Sequence, residues 1–362
     1  MKTTTQLCRR ELGFTMVEIL VGMLIAMLGI VIMTQVSTTF EAQKRTTTGG
    51  DDASSTGAIS LYQMQRDLRF AGYGFASRNV VGCDLSIGGT NFAAFAPLTI
   101  GSLASDAGTE SLLISYGATN GSPEGDGITA QPSATVYAVQ TPGFYTAGDW
   151  IIATPATRPN PCSGAAGLVL DRVVAVDTAA KTITVATGAP GMANGVIFNQ
   201  GANFKIIGYA VRGGNLLRCD FTAALPAVGC ANAADWTPAG SDVVAMRALY
   251  GKDTVDPVDS VDRWESAAPA TACDWVRARA ARIALVVRNN QYEKTNVAQF
   301  PPDGYVTPNA PTWSASVATT DTPTAVPIDL TANPLWKNYR YKVFETVAPI
   351  RNISYAQSAA KC

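Results

Sequence analysis

The chain is apolar from Phe14 to Val36, with Glu18 as the single charge and no proline. As a helix rising about 1.5 Å per residue, this run reaches roughly 35 Å, enough to cross a hydrocarbon core of about 30 Å. The segment before it, MKTTTQLCRRELG, carries Lys2, Arg9 and Arg10, which predicts that this end stays cytoplasmic. From Ser37 to about Phe70 the helical register continues with lower hydrophobicity. Thr46 to Gly50 is a weak stretch of β-branched residues and glycine, so a break or frayed turn is expected near Gly49, with Asp51, Asp52 and Ser54 offering N-cap chemistry after it. Leu61, Met64, Leu68 and Ala71 then fall on one helical face, with Arg66 and Arg69 elsewhere, and Gly72 and Gly74 end the helix.

Beyond Val80 the pattern changes to short apolar runs between turns. Strands are predicted around 149–153, 167–177, 182–186 and 204–211, a core strand over 279–288, and a half-buried alternating strand over 339–346. Residues 296–334, rich in Pro, Thr and Ala, are expected to form an ordered but irregular loop. No fixed-period repeat occurs. The fold class is therefore α+β: a long N-terminal helix, membrane anchor first and amphipathic afterwards, on a large, mainly antiparallel β-rich domain. One elongated domain is the first choice and two subdomains the second.

Glu18 decides between readings of the N-terminal run. A secretory signal peptide would have a shorter apolar core and a small-x-small cleavage site, and Met33 to Ser37 offers none. A lipoprotein signal fails because Cys8 precedes the apolar run. A plain anchor leaves Glu18 unexplained, since a carboxylate inside an apolar helix costs about 3 kcal/mol unless paired or at an interface.

Gly13-Phe14-Thr15-Met16-Val17-Glu18, after a short basic leader and before an unbroken apolar helix, resembles the type IV prepilin signal. The resemblance implies that a membrane prepilin peptidase cuts after Gly13 and N-methylates the new N-terminal Phe14. It implies a leader over 1–13, a transmembrane and filament-core helix over 14–36, an amphipathic continuation over 37–75 and a periplasmic or extracellular globular domain over 76–362. It also supplies a partner for Glu18, the Phe14 ammonium of a neighbouring subunit. Two such charges at about 4 Å in a low-dielectric core attract, whereas either alone there is costly. Gly22 and Gly29, nearly on one face, offer room for close helix approach.

Three further stretches resemble the PilW family: Leu61 to Gly74 (LYQMQRDLRFAGYG), Arg282 to Arg288 (RIALVVR) and Arg340 to Asn352 (RYKVFETVAPIRN). The chain is also longer than most major pilins. This resemblance implies a low-abundance minor pilin that primes or supports assembly of a type IV pilus near its tip, with a role in twitching motility. The implied partners are prepilin peptidase, other minor pilins, the major pilin and the inner-membrane assembly machinery. The implied location is the bacterial inner membrane with the globular domain in the periplasm, then the pilus and cell surface.

Composition narrows the chemistry. The chain has 362 residues, a formal net charge of -1 and 15% charged residues, so no basic face for nucleic acid is expected. It has no histidine, which removes the commonest acid/base and metal ligand. No G-x-S-x-G, Walker or G-x-G-x-x-G motif occurs. No enzyme and no cofactor is expected, and a helix-anchored enzyme is the most distant reading. The six tryptophans are read as core or interface residues. Of seven cysteines, Cys8 lies in the expected leader. Cys83, Cys162, Cys219, Cys230, Cys273 and Cys362 are then candidates for three disulfides. Cys219 with Cys230 is the first local pair to consider, and six buried thiols the alternative.

Asp253, Asp256, Asp259 and Asp262 recur at every third position. In PilW-like proteins this region often resembles a calcium loop. Here Pro257 interrupts the run, no turn glycine follows and the acids do not alternate, so a solvated acidic loop is expected before a bound Ca2+. The alternatives to a minor pilin are a pseudopilin of a type II secretion system, which would share leader and helix, and a pilus-tip adhesin.

Overall fold

The computed structural model describes residues 13, 15–118, 122, 124–164, 167–255, 260–293, 312–315 and 324–353. The chain divides into two units, Met1–Asp51 and Asp52–Cys362.

Helix α1 runs over Met16–Phe70 without interruption. The expected break near Gly49 is absent, and Asp51, Asp52 and Ser54 lie inside the helix and not at the start of a new one. Propagating an existing helix through weak formers costs at most about 1 kcal/mol per glycine, whereas nucleating a second helix is far costlier. The threonines also fit the helix: Thr38 and Thr39 return their hydroxyls to the Gln35 carbonyl, and Thr47 returns its hydroxyl to Gln43. The helix ends as expected. Gly72 takes a positive φ of 79°, and its N–H leaves the helix to bond the Ser115 carbonyl at 2.9 Å.

The second unit is built from antiparallel pairings, except for Cys83–Ile87 beside Leu168–Asp177, which is parallel. Six strands close on themselves in the order Leu168–Asp177, Trp150–Thr154, Val196–Gly201, Asp126–Ser133, Val136–Val139 and Thr182–Val185, the last pairing again with the first. Tyr137, Ile151, Val173, Ile183, Val185 and Ile197 from these strands share one buried cluster. Closure removes the unpaired edges that an open sheet would present. A second sheet has the order Thr237–Gly240, Asn215–Asp220, Lys205–Arg212, Leu112–Tyr116, Leu98–Ile100. A third has the order Arg263–Glu265, Val243–Lys252, Ala278–Arg288, Tyr341–Pro349.

The apolar run in Ala278–Arg288 follows from its central place. Ile283, Leu285 and Val287 join the cluster containing Leu61, Met64 and Leu68 of α1. Ala284 and Val286 face the opposite way, into a cluster with Trp313, Ile328, Leu330 and Trp336. A strand buried on both faces needs an unbroken apolar sequence. Part of the expected irregular loop over 296–334 is therefore ordered differently. Thr312–Ala315 pairs with Thr324–Pro327, while residues 296–311 and 316–323 lie outside the described set. Trp313 is buried and its indole donates to Glu345 at 2.8 Å, which fixes this hairpin on the sheet. A short helix α2, Ala272–Arg277, stands among the strands and was not predicted. Its Thr271 and Asp274 form a reciprocal capping box.

Candidate functional site

The candidate site is α1, taken unit by unit. In the first unit Thr15 caps the helix and Glu18 is its third residue. The Glu18 carboxylate accepts the Thr15 N–H and hydroxyl at 3.1 Å each, and the Glu18 N–H donates to Thr15 Oγ1 at 3.3 Å. This is a capping box, and its signature, T-x-x-E, stands in the sequence at 15–18. It gives Glu18 a role that the pairing argument missed: the carboxylate also satisfies donors of its own helix end. From Met16 to Met33 the large apolar side chains are exposed. The helix is long and apolar enough to cross a membrane by length and composition. Gly13 is exposed, and Phe14 lies outside the described residues.

In the second unit the predicted face of α1 is buried: Leu61 at 7% exposure, Met64, Leu68 and Ala71 at 0%. They pack with Ile114, Ile207, Tyr209, Met246 and Ile283 of the second and third sheets. The strand Tyr341–Pro349 follows the helix from Ser54 to Gln65. Lys342 Nζ donates to Ser54 Oγ at 2.9 Å, the Phe344 ring lies against Gly57, and Gln65 Nε2 donates to Thr346 Oγ1. A Cβ at Gly57 would run into the Phe344 ring. This mid-helix glycine, which costs about 1 kcal/mol of helix propensity relative to alanine, permits the close approach. Beyond the strand, Asn352 Nδ2 donates to the Arg69 and Ala71 carbonyls.

One charge is buried on this face. Asp67, 2% exposed, accepts the Tyr209 hydroxyl at 2.8 Å and Arg218 Nη2 at 3.3 Å through Oδ2. A buried carboxylate needs such partners, and here they tie α1 to two neighbouring strands. Burial, with the Asp67 charge adding to it, pushes the Tyr209 phenol well above its ordinary range, so it remains a donor.

The predicted cysteines separate. Cys83 is bonded to Cys162 and Cys219 to Cys230. Cys273 is also disulfide-bonded, and Cys362 lies outside the described residues. Of the acidic run, Asp253 is buried, with its N–H donating to the Arg277 carbonyl at 3.0 Å. Asp262 accepts the N–H groups of Thr254 and Val255 and the Thr254 hydroxyl. Asp256 and Asp259 lie outside the described residues. Among the described residues no group of three or more His, Cys, Asp or Glu is placed to hold a metal ion.

The family model for PilW, type IV pilus-assembly protein W, matches residues 215–352. The matched stretch begins in the strand Asn215–Asp220, includes the third sheet and α2, and ends at Asn352, on the end of α1. The match supports a PilW-family type IV pilus protein. No curated protein and no solved structure matches the chain.

Proposed function

From this PilW match and its role in type IV pilus assembly, we propose that the chain is a minor pilin, made as a membrane-anchored precursor, cleaved between Gly13 and Phe14 and built into a pilus at low abundance near its tip. The observation that carries this reading is the capped apolar helix: an anchor-length helix opening on Thr15 and Glu18, a few residues after a basic leader. Residues 1–13 are the leader, 14–36 the membrane and filament-core segment, and 37–75 the amphipathic continuation of the helix. Residues 76–362 form the periplasmic domain. Gly22 and Gly29 leave room for neighbouring helices.

Glu18 then has two successive partners. Before assembly it caps its own helix through Thr15. In the filament it faces the methylated Phe14 ammonium of a neighbour, and the pair sets the stagger between adjacent helices. No catalytic step is assigned to the chain. Its partners on this reading are prepilin peptidase, the other minor pilins, the major pilin and the inner-membrane assembly machinery.

The test is deletion of the gene in the native piliated host. Surface pili and twitching should be lost or sharply reduced with major pilin levels intact. Normal piliation would sink the reading, and loss of protein secretion in its place would favour a type II secretion pseudopilin.

A further inference from the structure

A cavity of about 570 Å³ lies between the last turns of α1 and the residues that follow strand Leu112–Tyr116. That volume is in the range of sites that enclose a small organic ligand. Phe70, Tyr73 and Tyr116 supply aromatic walls, with the Phe70 and Tyr116 ring centroids 5.7 Å apart. Phe70 is 51% exposed and Tyr116 half-buried, so ring surface stays open to a ligand. The phenol hydroxyls of Tyr73 and Tyr116 make no hydrogen bond among the described residues. Burial, with the Asp67 charge adding to it, pushes the Tyr116 phenol up to about 12, so it keeps its proton and can both donate and accept. The charge left over at the cavity is positive. Asp67 is already engaged by Tyr209 and Arg218 through Oδ2. Arg66 is the surplus: its side chain is 60% exposed, and its Nε stands 3.8 Å from Asp67 Oδ1, beyond hydrogen-bond reach.

We propose that this cavity binds a sugar carrying a single carboxylate, of the uronic-acid type, with its ring face on Phe70 and Tyr116, its hydroxyls on the Tyr73 and Tyr116 phenols and its carboxylate on Arg66. The site stands on the chemistry of its walls and does not depend on the assembly role. A pyranose has an apolar face of C–H groups and an edge of hydroxyls, so it matches aromatic rings whose rims carry unpartnered hydroxyls. An aliphatic chain would cover the rings but leave the phenols and the guanidinium without partners. A phosphate would bring a double charge toward Arg66, and the Asp67 carboxylate behind that side chain repels a double charge more than a single one. One carboxylate, in contrast, meets the planar guanidinium fork on its open side. The volume suits a mono- or disaccharide.

The test titrates the full-length chain, held in a detergent without a sugar headgroup, with digalacturonic acid, and reads binding by saturation-transfer NMR and calorimetry. Maltose, a neutral disaccharide, and hexanoate, a carboxylate without a sugar ring, are the controls. The expected result is binding of digalacturonic acid, with both controls weaker by about tenfold or more. Phe70→Ala and Arg66→Ala should each weaken that binding by about tenfold. Tyr73→Phe, which removes one hydroxyl, should weaken it severalfold. The unfolding midpoint of each variant is measured beside its affinity. Arg66→Ala changes an exposed side chain and decides the case if Phe70→Ala fails to fold. No binding of digalacturonic acid, equal binding of maltose, equal binding of hexanoate, or binding indifferent to Arg66→Ala would each overturn the site. None of these outcomes bears on the assembly role, which the gene deletion decides.

Discussion

Asn352 Nδ2 donates 3.1 Å hydrogen bonds to the carbonyls of both Arg69 and Ala71, so a residue near the far end of the chain closes the C-terminal end of its first helix. The last carbonyls of a helix have no partner within it. Here the side-chain amide takes two of them, while Gly72 turns the chain away in a left-handed conformation. The last turns of the helix and the C-terminal strand thus belong to one unit, although they lie nearly the whole sequence apart.

Replacing Asn352 tests that closure. Asn352→Ala removes two donors and should cost about 1 to 2 kcal/mol. Asn352→Asp should cost more, because a carboxylate would face carbonyl oxygens at the negative end of the helix dipole. Thermal unfolding of the detergent-solubilised full chain measures both; an unchanged midpoint for Asn352→Asp would refute the cap.

Substitutions at Glu18 separate its two roles. Glu18→Gln keeps an oxygen for the Thr15 cap and removes the charge, whereas Glu18→Ala removes both, at about 1 kcal/mol of helix-end stability. Both variants should still be cleaved after Gly13, and both should be incorporated poorly into filaments. Immunoblots of sheared pili against membranes read the ratio. Full incorporation of Glu18→Gln would mean that the charge pair is not needed.

The disulfides predict a mass and a ranking. Mature protein from membranes should begin at N-methylated Phe14 and weigh less by six thiol hydrogens, one for each cysteine after Cys8. Non-reducing peptide maps should link Cys83 to Cys162 and Cys219 to Cys230. Their sequence separations are 79 and 11. Loop-closure entropy therefore makes loss of the first pair worth about 4.5 kcal/mol and of the second about 3 kcal/mol. Denaturant unfolding of the two paired Cys→Ser variants checks the order. A chain that retains Met1, or one cut after Val36, would return the N-terminus to an ordinary anchor or signal peptide.

Alkaline stability follows from two tyrosines, Tyr250 buried and Tyr116 half-buried. Burial pushes the phenols of Tyr116 and Tyr250 up to about 12, from an ordinary value of 10.0. Between these values the unfolded chain has lost its phenolic protons and the folded chain has kept them, so stability falls as pH rises. The unfolding midpoint should be insensitive to these groups below about pH 10 and should decline from there to about pH 12. Tyr250→Phe also loses the bond from the Ile100 N–H to the Tyr250 hydroxyl. It should therefore be less stable near neutrality but show a shallower alkaline decline. Tyrosinate absorbance against pH, read beside the unfolding midpoint, gives the check.

Several features were legible in the sequence because they depend on neighbours within a few residues. The apolar run, the Leu61, Met64, Leu68 and Ala71 face, the stop at Gly72 and the strand over 279–288 all follow local periodicity, and the structure has them. The Thr15–Glu18 capping box is equally local, and its T-x-x-E signature stands in the sequence at 15–18. The break expected at Gly49 shows the limit of propensity, since continuing a helix is cheaper than starting a new one.

Tertiary structure alone decided the rest. The closure of six strands, Asn352 on the helix end, Phe344 against Gly57 and Asp67 with Tyr209 and Arg218 join residues far apart in the chain. Nothing in local sequence marks such partners, because their energy comes from burial and from satisfying polar groups once the chain has folded. The exposed side of α1 is the clearest case. The sequence set Ile59, Tyr62 and Phe70 on one helical stripe, but only packing of the opposite face decided which side stayed exposed.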